Sequence, residues 1–316
     1  MNSLPIVLVT EGSDEKPLSW LRERAQVIEK FVDDPGFDEA LASADAMVVR
    51  TYTKVNEAML AKAPRLKVVG RGGVGLESID VAACRRRGVQ VVYTPAANTL
   101  AVGDFVFGYI IQLLRPFCFF NSSLSPAEFK RIRAGVRGKQ LNELTIGIVG
   151  MGRVGKRIGH IAANGFGMRV VYNDILAIEP ASLDFPAVRM SKEELYQQAD
   201  ILSLHVTMIP GNENLIGAKQ LAMMKPDAIL INTSRGEVLD ANALAQALKE
   251  KRLAGAAIDV FWPEPPPADF PLLGMSNVLL TPHLGARTAT ATENMSWVVR
   301  DVTNVLEGKP PAYPAP

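Results

Sequence analysis

The sequence predicts an α/β chain of two doubly wound parallel-sheet domains with a cleft between them. Three observations point there. Strand-length apolar runs alternate with segments of helical period through most of the chain, the pattern of parallel strands joined by helical crossovers. One stretch, Leu144 to Asp174, reads in turn as strand, glycine turn, helix, strand and acid. A length of 316 residues suits two domains, each able to bury its own core.

The first alternating unit begins with a strand at Pro5–Thr10 and an amphipathic helix over residues near 19–30. It continues with a strand at Ala46–Arg50, a helix at Val55–Ala61, a strand at Leu66–Gly70, a helix at Ile79–Arg87 and a strand at Val89–Tyr93. Asn98 then starts a helix, Thr99 to Leu114, that Arg115-Pro116 ends. It is apolar nearly all round, so burial between domains or subunits is expected. Residues 117–141 show no clear period and read as irregular.

The second unit opens at Leu144. Its expected strands are Thr145–Val149, Met168–Tyr172, a short one near Val188, Ile201–His205, Ala228–Asn232, Gly255–Asp259 and Val278–Leu280. Pro263, Pro265, Pro266 and Pro267 impose a non-helical loop. A final helix, roughly Ala289 to Glu307, heads for the C-terminus. The first unit has few strands, and this helix crossing back would help to cover it. The division is then residues 1–98 with 285–316 as one discontinuous domain, and residues 99–284 as the other.

Within the opening stretch of the second unit, Gly150, Gly152 and Gly155 interrupt the apolar run Ile146–Val149, and Asp174 closes the next strand. Glycines allow a tight turn, and the helix N-terminus offers unpaired N–H groups to a pyrophosphate. An acid at the end of the following strand can accept hydrogen bonds from ribose hydroxyls. The stretch therefore predicts a Rossmann-type dinucleotide site. Gly70-Arg71-Gly72-Gly73-Val74-Gly75 fits the same glycine pattern after a strand, but Thr94 and Pro95 stand where the acid would be needed. A turn of exposed amides is instead a nest for an anion.

Composition narrows the function. Lys and Arg number 34 against 33 Asp and Glu, a formal charge of +1 with no basic stripe, so nucleic acid and anionic membranes are poor partners. The apolar run Leu4–Val9 is too short to span a bilayer or to serve as a signal. Cys84 and Cys118 form neither a disulfide framework nor a metal spacing. A cytoplasmic protein without a metal is expected. No H-E-x-x-H, Walker lysine or serine elbow is present.

Three polar residues follow three strands of the second unit: Arg235 in I-L-I-N-T-S-R-G, Glu264 after A-A-I-D-V-F, and His283 in T-P-H-L-G. Parallel sheets bind ligands at the carboxyl ends of their strands. Oxidation of a 2-hydroxy acid needs a base for the hydroxyl proton, and histidine titrates closest to neutrality. A carboxylate can fix that imidazole's tautomer, and an arginine can hold a substrate carboxylate through two parallel bonds. Of the other histidines, His160 is expected to be structural, and His205 to make a structural bond at a strand end.

The residues G-M-G-R-V-G, N-T-S-R-G-E-V-L-D, A-I-D-V-F-W-P-E-P and T-P-H-L-G-A, with V-V-G-R-G-G-V-G-L-E-S-I-D and Y-T-P-A-A-N-T, resemble the D-isomer-specific 2-hydroxyacid dehydrogenases, and the phosphoglycerate dehydrogenase branch most. The resemblance runs from about residue 45 to 308. It implies a Rossmann-type NAD domain and a flavodoxin-like substrate domain. It implies Arg235 as carboxylate anchor, His283 as acid/base and Glu264 as its partner. NAD contacts are implied at Gly150, Gly152, Arg153, Val154, Gly155, Asp174, Val206, Thr233, Ser234, Asp259, His283 and Gly285. The amides of Gly73, Val74 and Gly75 would cradle the substrate carboxylate. Arg50 is either a second anion contact or an exposed loop arginine.

Two departures from the family pattern stand out. Asp104 replaces the usual Glu, and His205-Val206-Thr207-Met208 replaces the usual H-x-P-L-T. Asp174 argues for NAD over NADP, because it would repel a 2′-phosphate. The reading that results is an NAD-dependent oxidoreductase acting on a small D-2-hydroxy or 2-oxo acid, as a homodimer through the cofactor domain. A glyoxylate/hydroxypyruvate reductase is the alternative within the family, and an NAD-sensing corepressor is the alternative outside catalysis.

Overall fold

The computed structural model describes residues 4–117 and 119–316, so Cys118 lies outside the described residues. The chain divides into two compact units, Met1–Asn98 with Ala286–Pro316, and Thr99–Gly285.

The first unit runs β1 (Ile6–Val9), α1 (Glu15–Arg22), β2 (Gln26–Glu29), α2 (Phe37–Ser43), β3 (Ala46–Val49), α3 (Glu57–Ala61), β4 (Val68–Arg71), α4 (Val81–Arg86) and β5 (Gln90–Tyr93). The strands are parallel, in the order β2-β1-β3-β4-β5. Because side chains alternate across a strand, the same strands serve two cores. Leu8, Met47, Val49 and Val69 pack with Leu41, Leu60 and Cys84 of α2–α4. Val7, Val9, Val48 and Val68 pack with Leu18 and Leu21 of α1 on the other face. Strands buried on both faces need continuous apolar runs, and M-V-V in β3 is such a run.

The second unit runs α5 (Thr99–Leu114), α6 (Pro126–Gly135), β6 (Thr145–Val149), α7 (Arg153–His160), β7 (Arg169–Asn173), β8 (Val188–Arg189), α8 (Lys192–Gln198), β9 (Ile201–Leu204), α9 (Ala218–Leu221), β10 (Ile229–Asn232), α10 (Ala241–Lys249), β11 (Gly255–Ile258) and β12 (Val278–Leu280). All seven strands are parallel, in the order β12-β11-β10-β9-β6-β7-β8. The chain builds outward from β6 to β8 and then crosses to β9 on the other side of β6. That reversal makes a crevice at the carboxyl ends of β6 and β9, where doubly wound sheets take ligands. The chain then returns to the first unit as α11 (Ala289–Ser296) and α12 (Val299–Leu306), and α12 packs on β3, β4 and β5.

Three local expectations need correction. Residues near 19–30 are not one helix. Asp14 caps α1 by accepting from Lys16 N, so the helix begins early and ends at Arg22, and Gln26–Glu29 pairs with β1 instead. The β-branched Val27 and Ile28 favour that strand. Residues 117–141 are not wholly irregular, since α6 lies within them. Its N-terminus is a capping box of Ser125 and Glu128 with proline at the first turn. No residue of α6 is buried, which is why it shows no apolar period. The C-terminal helix is two helices, broken at Trp297-Val298, and Ser296 Oγ at the break accepts from Asp14 N. Along α5, Val106, Tyr109 and Ile110 are buried, and Leu100 is 62 % exposed in the single chain.

Candidate active site

The glycine turn after β6 is built for close approach. Gly150 has φ +94°, and a Cβ there would lie 2.3 Å from the carbonyl oxygen of His205. A Cβ on Gly155 would lie 2.1 Å from the Gly150 carbonyl oxygen, whereas one on Gly152 would meet nothing within 4 Å. The turn is thus closed underneath and open above. Gly152 precedes α7 without a side-chain cap, which leaves the first-turn amides, Arg153 and Val154 among them, facing that open side. Val206, half-buried after β9, flanks Gly150.

Asp174 follows β7 and is half-buried. Its Oδ2 accepts from Met151 N at 2.6 Å and its Oδ1 from Leu176 N at 2.8 Å. The carboxylate therefore ties the glycine turn to the end of β7. Two carboxylate oxygens have about four acceptor positions, and these two bonds leave room for ribose hydroxyls.

At the end of β10, buried Asn232 shapes the next turn. Its Oδ1 accepts from Ser234 N at 3.0 Å and from Ser234 Oγ at 2.9 Å, and its Nδ2 donates to Arg235 O at 2.8 Å. Thr233 Oγ1 is buried without a partner, an orphaned hydroxyl of the kind a ligand satisfies. Arg235 Nη1 donates to Ser234 O at 2.6 Å. Gly236 lets the backbone of Phe261 pass within 2.1 Å of where its Cβ would stand. The Arg235 turn and the proline-rich loop bearing Glu264 therefore lie against each other. The sequence reading missed Asn232, although an amide after a buried strand and before a polar turn is a signal of this kind.

His283 follows β12 with φ +53°, a left-handed conformation uncommon outside glycine. Its Nδ1 stands 2.9 Å from Glu264 Oε1 and 3.2 Å from Oε2. Its own N–H donates to the carbonyls of Asp259 and Thr281, each at 2.9 Å. Asp259, 1 % exposed, accepts from Leu284 N at 2.7 Å, Gly285 N at 2.8 Å and Thr281 Oγ1. Asp259 and Gly285 are thus engaged with each other in holding the His283 loop.

The other histidines have structural partners. His205 Nε2 lies 2.7 Å from Ser203 Oγ, and burial pushes its pKa down to about 3, so it is neutral. His160 Nδ1 lies 3.0 Å from Asp184 Oδ2 on the surface. Asp104 reaches Arg157 of α7 at 3.3 Å.

In the first unit, Arg71 braces the second glycine loop, donating from Nε to Gly75 O at 2.9 Å and from Nη1 to Gly72 O at 2.8 Å. Gly73 N–H is used within the loop, donating to Arg71 O at 2.8 Å. The amides of Val74 and Gly75 have no acceptor among the described residues, so any anion nest here rests on those two. Arg50 is half-buried, with Nη1 3.2 Å from Gly12 O. Burial and neighbouring Arg287 both lower its pKa. The two, with Lys54, Tyr52 and Thr51, line a hollow of about 540 Å³ at the carboxyl ends of β1 and β3. Glu11 also borders it, but accepts from the backbone N–H groups of Arg50, Thr51, Tyr52 and Thr53. Burial raises its pKa, yet those four bonds outweigh it and the net shift is downward.

Residues 107–285 match the model of the D-isomer specific 2-hydroxyacid dehydrogenase family, NAD binding domain. The chain belongs to this family. It is 36 % identical over 306 residues to the D-3-phosphoglycerate dehydrogenase of Methanocaldococcus jannaschii, covering 96 % of this chain and 58 % of that protein. A second phosphoglycerate dehydrogenase, from Synechocystis, is matched over 54 % of its length, so the chain spans little more than half of these two relatives. The glyoxylate reductase of Thermococcus litoralis is 37 % identical over 266 residues, 83 % of this chain and 80 % of that one. Among solved structures, the TT0316 protein of Thermus thermophilus superposes with a TM-score of 0.86 at 33 % identity, over 98 % of this chain and all of that one. The D-lactate dehydrogenase of Aquifex aeolicus, complexed with NAD and lactic acid, gives 0.80 at 26 % identity over 96 % of each chain. The second unit is the family's NAD-binding domain, and its glycine turn, Asp174 and orphaned Thr233 hydroxyl fit that cofactor.

Proposed function

We propose that the protein is an NAD-dependent oxidoreductase that interconverts a small D-2-hydroxy acid and its 2-oxo acid, in the manner of a phosphoglycerate dehydrogenase. The observation that carries this is the Glu264–His283 pair, 2.9 Å apart, on the loops that follow β11 and β12 of the NAD-binding unit. With Nδ1–H donated to Glu264, the imidazole keeps its Nε2 lone pair to take the substrate's hydroxyl proton, and returns it in the reverse direction. Glu264 fixes that tautomer and stabilises the imidazolium. Bound NAD supplies the hydride chemistry. Arg235 holds the substrate carboxylate in a bidentate pair.

The first unit, residues 1–98 with the C-terminal segment, would recognise the rest of the substrate, and residues 99–284 would carry NAD. The Arg50–Arg287 hollow favours an acid with a second anionic group, such as a phosphorylated hydroxy acid. The 37 % identity to a glyoxylate reductase supports a smaller acid as the second reading. We place the protein in the cytoplasm as a homodimer through the NAD-binding unit; no described helix is long and apolar enough to cross a membrane.

A panel of 2-oxo acids with NADH, following loss of NADH absorbance, separates these readings. Turnover of phosphorylated hydroxypyruvate far above glyoxylate supports the first, and the reverse order supports the second. No turnover of any 2-oxo acid would refute both.

A further inference from the structure

The geometry points to Tyr109 as a positioning residue for His283, acting through Thr281 and Asp259. This rests on the reading of His283 as the acid/base group. Tyr109 sits in the buried face of α5 and is 5 % exposed, yet its hydroxyl is not idle: it is hydrogen-bonded to Thr281 Oγ1.

The direction of the chain follows from donor counting. A carboxylate only accepts, so the single Thr281 hydroxyl proton goes to Asp259 Oδ1. Thr281 Oγ1 must then accept, and the phenol donates to it. Burial, reinforced by the charge of Asp259, raises the Tyr109 pKa, which keeps that proton on the phenol at neutral pH.

Asp259 is the hub. The same carboxylate that accepts from Thr281 also accepts from Leu284 N and Gly285 N, the two residues after His283. His283 is held on its other side by its amide bonds to Asp259 O and Thr281 O. A histidine at φ +53° persists only where its surroundings over-determine it. Tyr109 is the hydrogen-bonding part of those surroundings contributed by α5, whose Val102 and Phe105 also lie at Gly285. An apolar residue there would leave Thr281 Oγ1 with an unfilled acceptor and the threonine free to rotate away from Asp259. Phe105 packs edge-on against the Tyr109 ring at 4.8 Å, so loss of the hydroxyl need not displace the ring.

The test is Tyr109→Phe in the full chain, with two readouts. Amide hydrogen exchange at Leu284 and Gly285 should speed up about 10-fold, the loss expected for one supporting hydrogen bond, while exchange across β6 and β10 stays as in wild type. Turnover should fall by a similar factor of about 10 with KM for the 2-oxo acid within about two-fold. Thr281→Val should give the same pattern more strongly, and Thr281→Ser, which keeps the hydroxyl, should restore it. Should Tyr109→Phe not fold, the contrast between Thr281→Val and Thr281→Ser decides alone. Unchanged exchange at Leu284 and Gly285 would overturn the proposal. So would faster exchange with wild-type turnover while His283→Ala is inactive. An active His283→Ala would instead refute the acid/base reading on which the proposal rests.

Discussion

Glu264 Oε1 lies 2.9 Å from Nδ1 of His283, although the two residues sit on separate loops. The carboxylate faces one ring nitrogen, which leaves the other, Nε2, as the one that can exchange a proton with substrate. His283→Ala should lose roughly 10²–10⁴-fold in turnover, the range for removing a general acid/base. Its affinity for NADH, read by fluorescence titration, should stay near wild type. Glu264→Gln keeps the size but removes the charge that stabilises the imidazolium, so turnover should fall with little change in NADH binding. A Glu264→Gln enzyme with wild-type turnover across the pH range would take Glu264 out of the mechanism.

Arg235 is held by its turn, and its fork is the part of it that matters for an acid. Arg235→Lys keeps the charge and loses the bidentate geometry. Apparent KM for the 2-oxo acid should rise steeply, with lower turnover. Near-normal kinetics on every active 2-oxo acid would move the anchor elsewhere, and Arg50→Leu would then be the variant to compare.

Asp174 has two backbone bonds and, with about four acceptor positions on its carboxylate, capacity for more. Ribose hydroxyls bonded there contribute about 1.5–3 kcal/mol each, and a 2′-phosphate would lose these bonds and meet a like charge. NADH should therefore be preferred over NADPH by at least about 10²-fold in kcat/KM. Asp174→Ser should narrow that ratio mainly by weakening NADH, since Ile175 and Leu176 offer a phosphate no positive charge. Equal use of both cofactors by the wild type would mean that Asp174 serves only to brace Met151 and Leu176.

His205 supplies a pH prediction for stability. Its folded pKa is about 3, below the ordinary value near 6.5. Above about pH 6.5 neither the folded nor the unfolded state binds the proton, and the folded state keeps its full advantage. As pH falls from there toward 3, only the unfolded state takes it up, and stability declines by up to about 1.4 kcal/mol per pH unit. Urea midpoints measured from pH 7 to pH 4 should fall less steeply in His205→Gln than in the wild type. Parallel slopes would contradict this.

Much of the candidate site was legible because the proposed chemistry restricts the residue types. Gly150 must adopt φ +94° against the His205 carbonyl, and only glycine does so freely. Asp174, Arg235, Glu264 and His283 follow β7, β10, β11 and β12, and the apolar runs of those strands are easy to read. The parts that were not legible lacked such a constraint. Helix α6 buries no side chain, so only its Ser125–Glu128 cap announced it. The strand Gln26–Glu29 is an edge of its sheet, half-exposed, and its pattern merged with the helix before it. Tyr109 reads in sequence as one more large side chain in an apolar helix. Its partner Thr281 is far along the chain, and only the fold brings the two hydroxyls together.

The central claim is that hydride passes between NAD and the second carbon of a 2-oxo acid at a site served by His283. Deuterium transfer tests it most directly: NADH deuterated at the transferable position is incubated with the protein and an active 2-oxo acid, and the product is examined by mass and chirality. The account predicts one deuterium at C2 of a D-2-hydroxy acid, formed in step with NADH consumption. A protein that binds NADH but yields no deuterated hydroxy acid from any 2-oxo acid, or yields the L isomer, would contradict it.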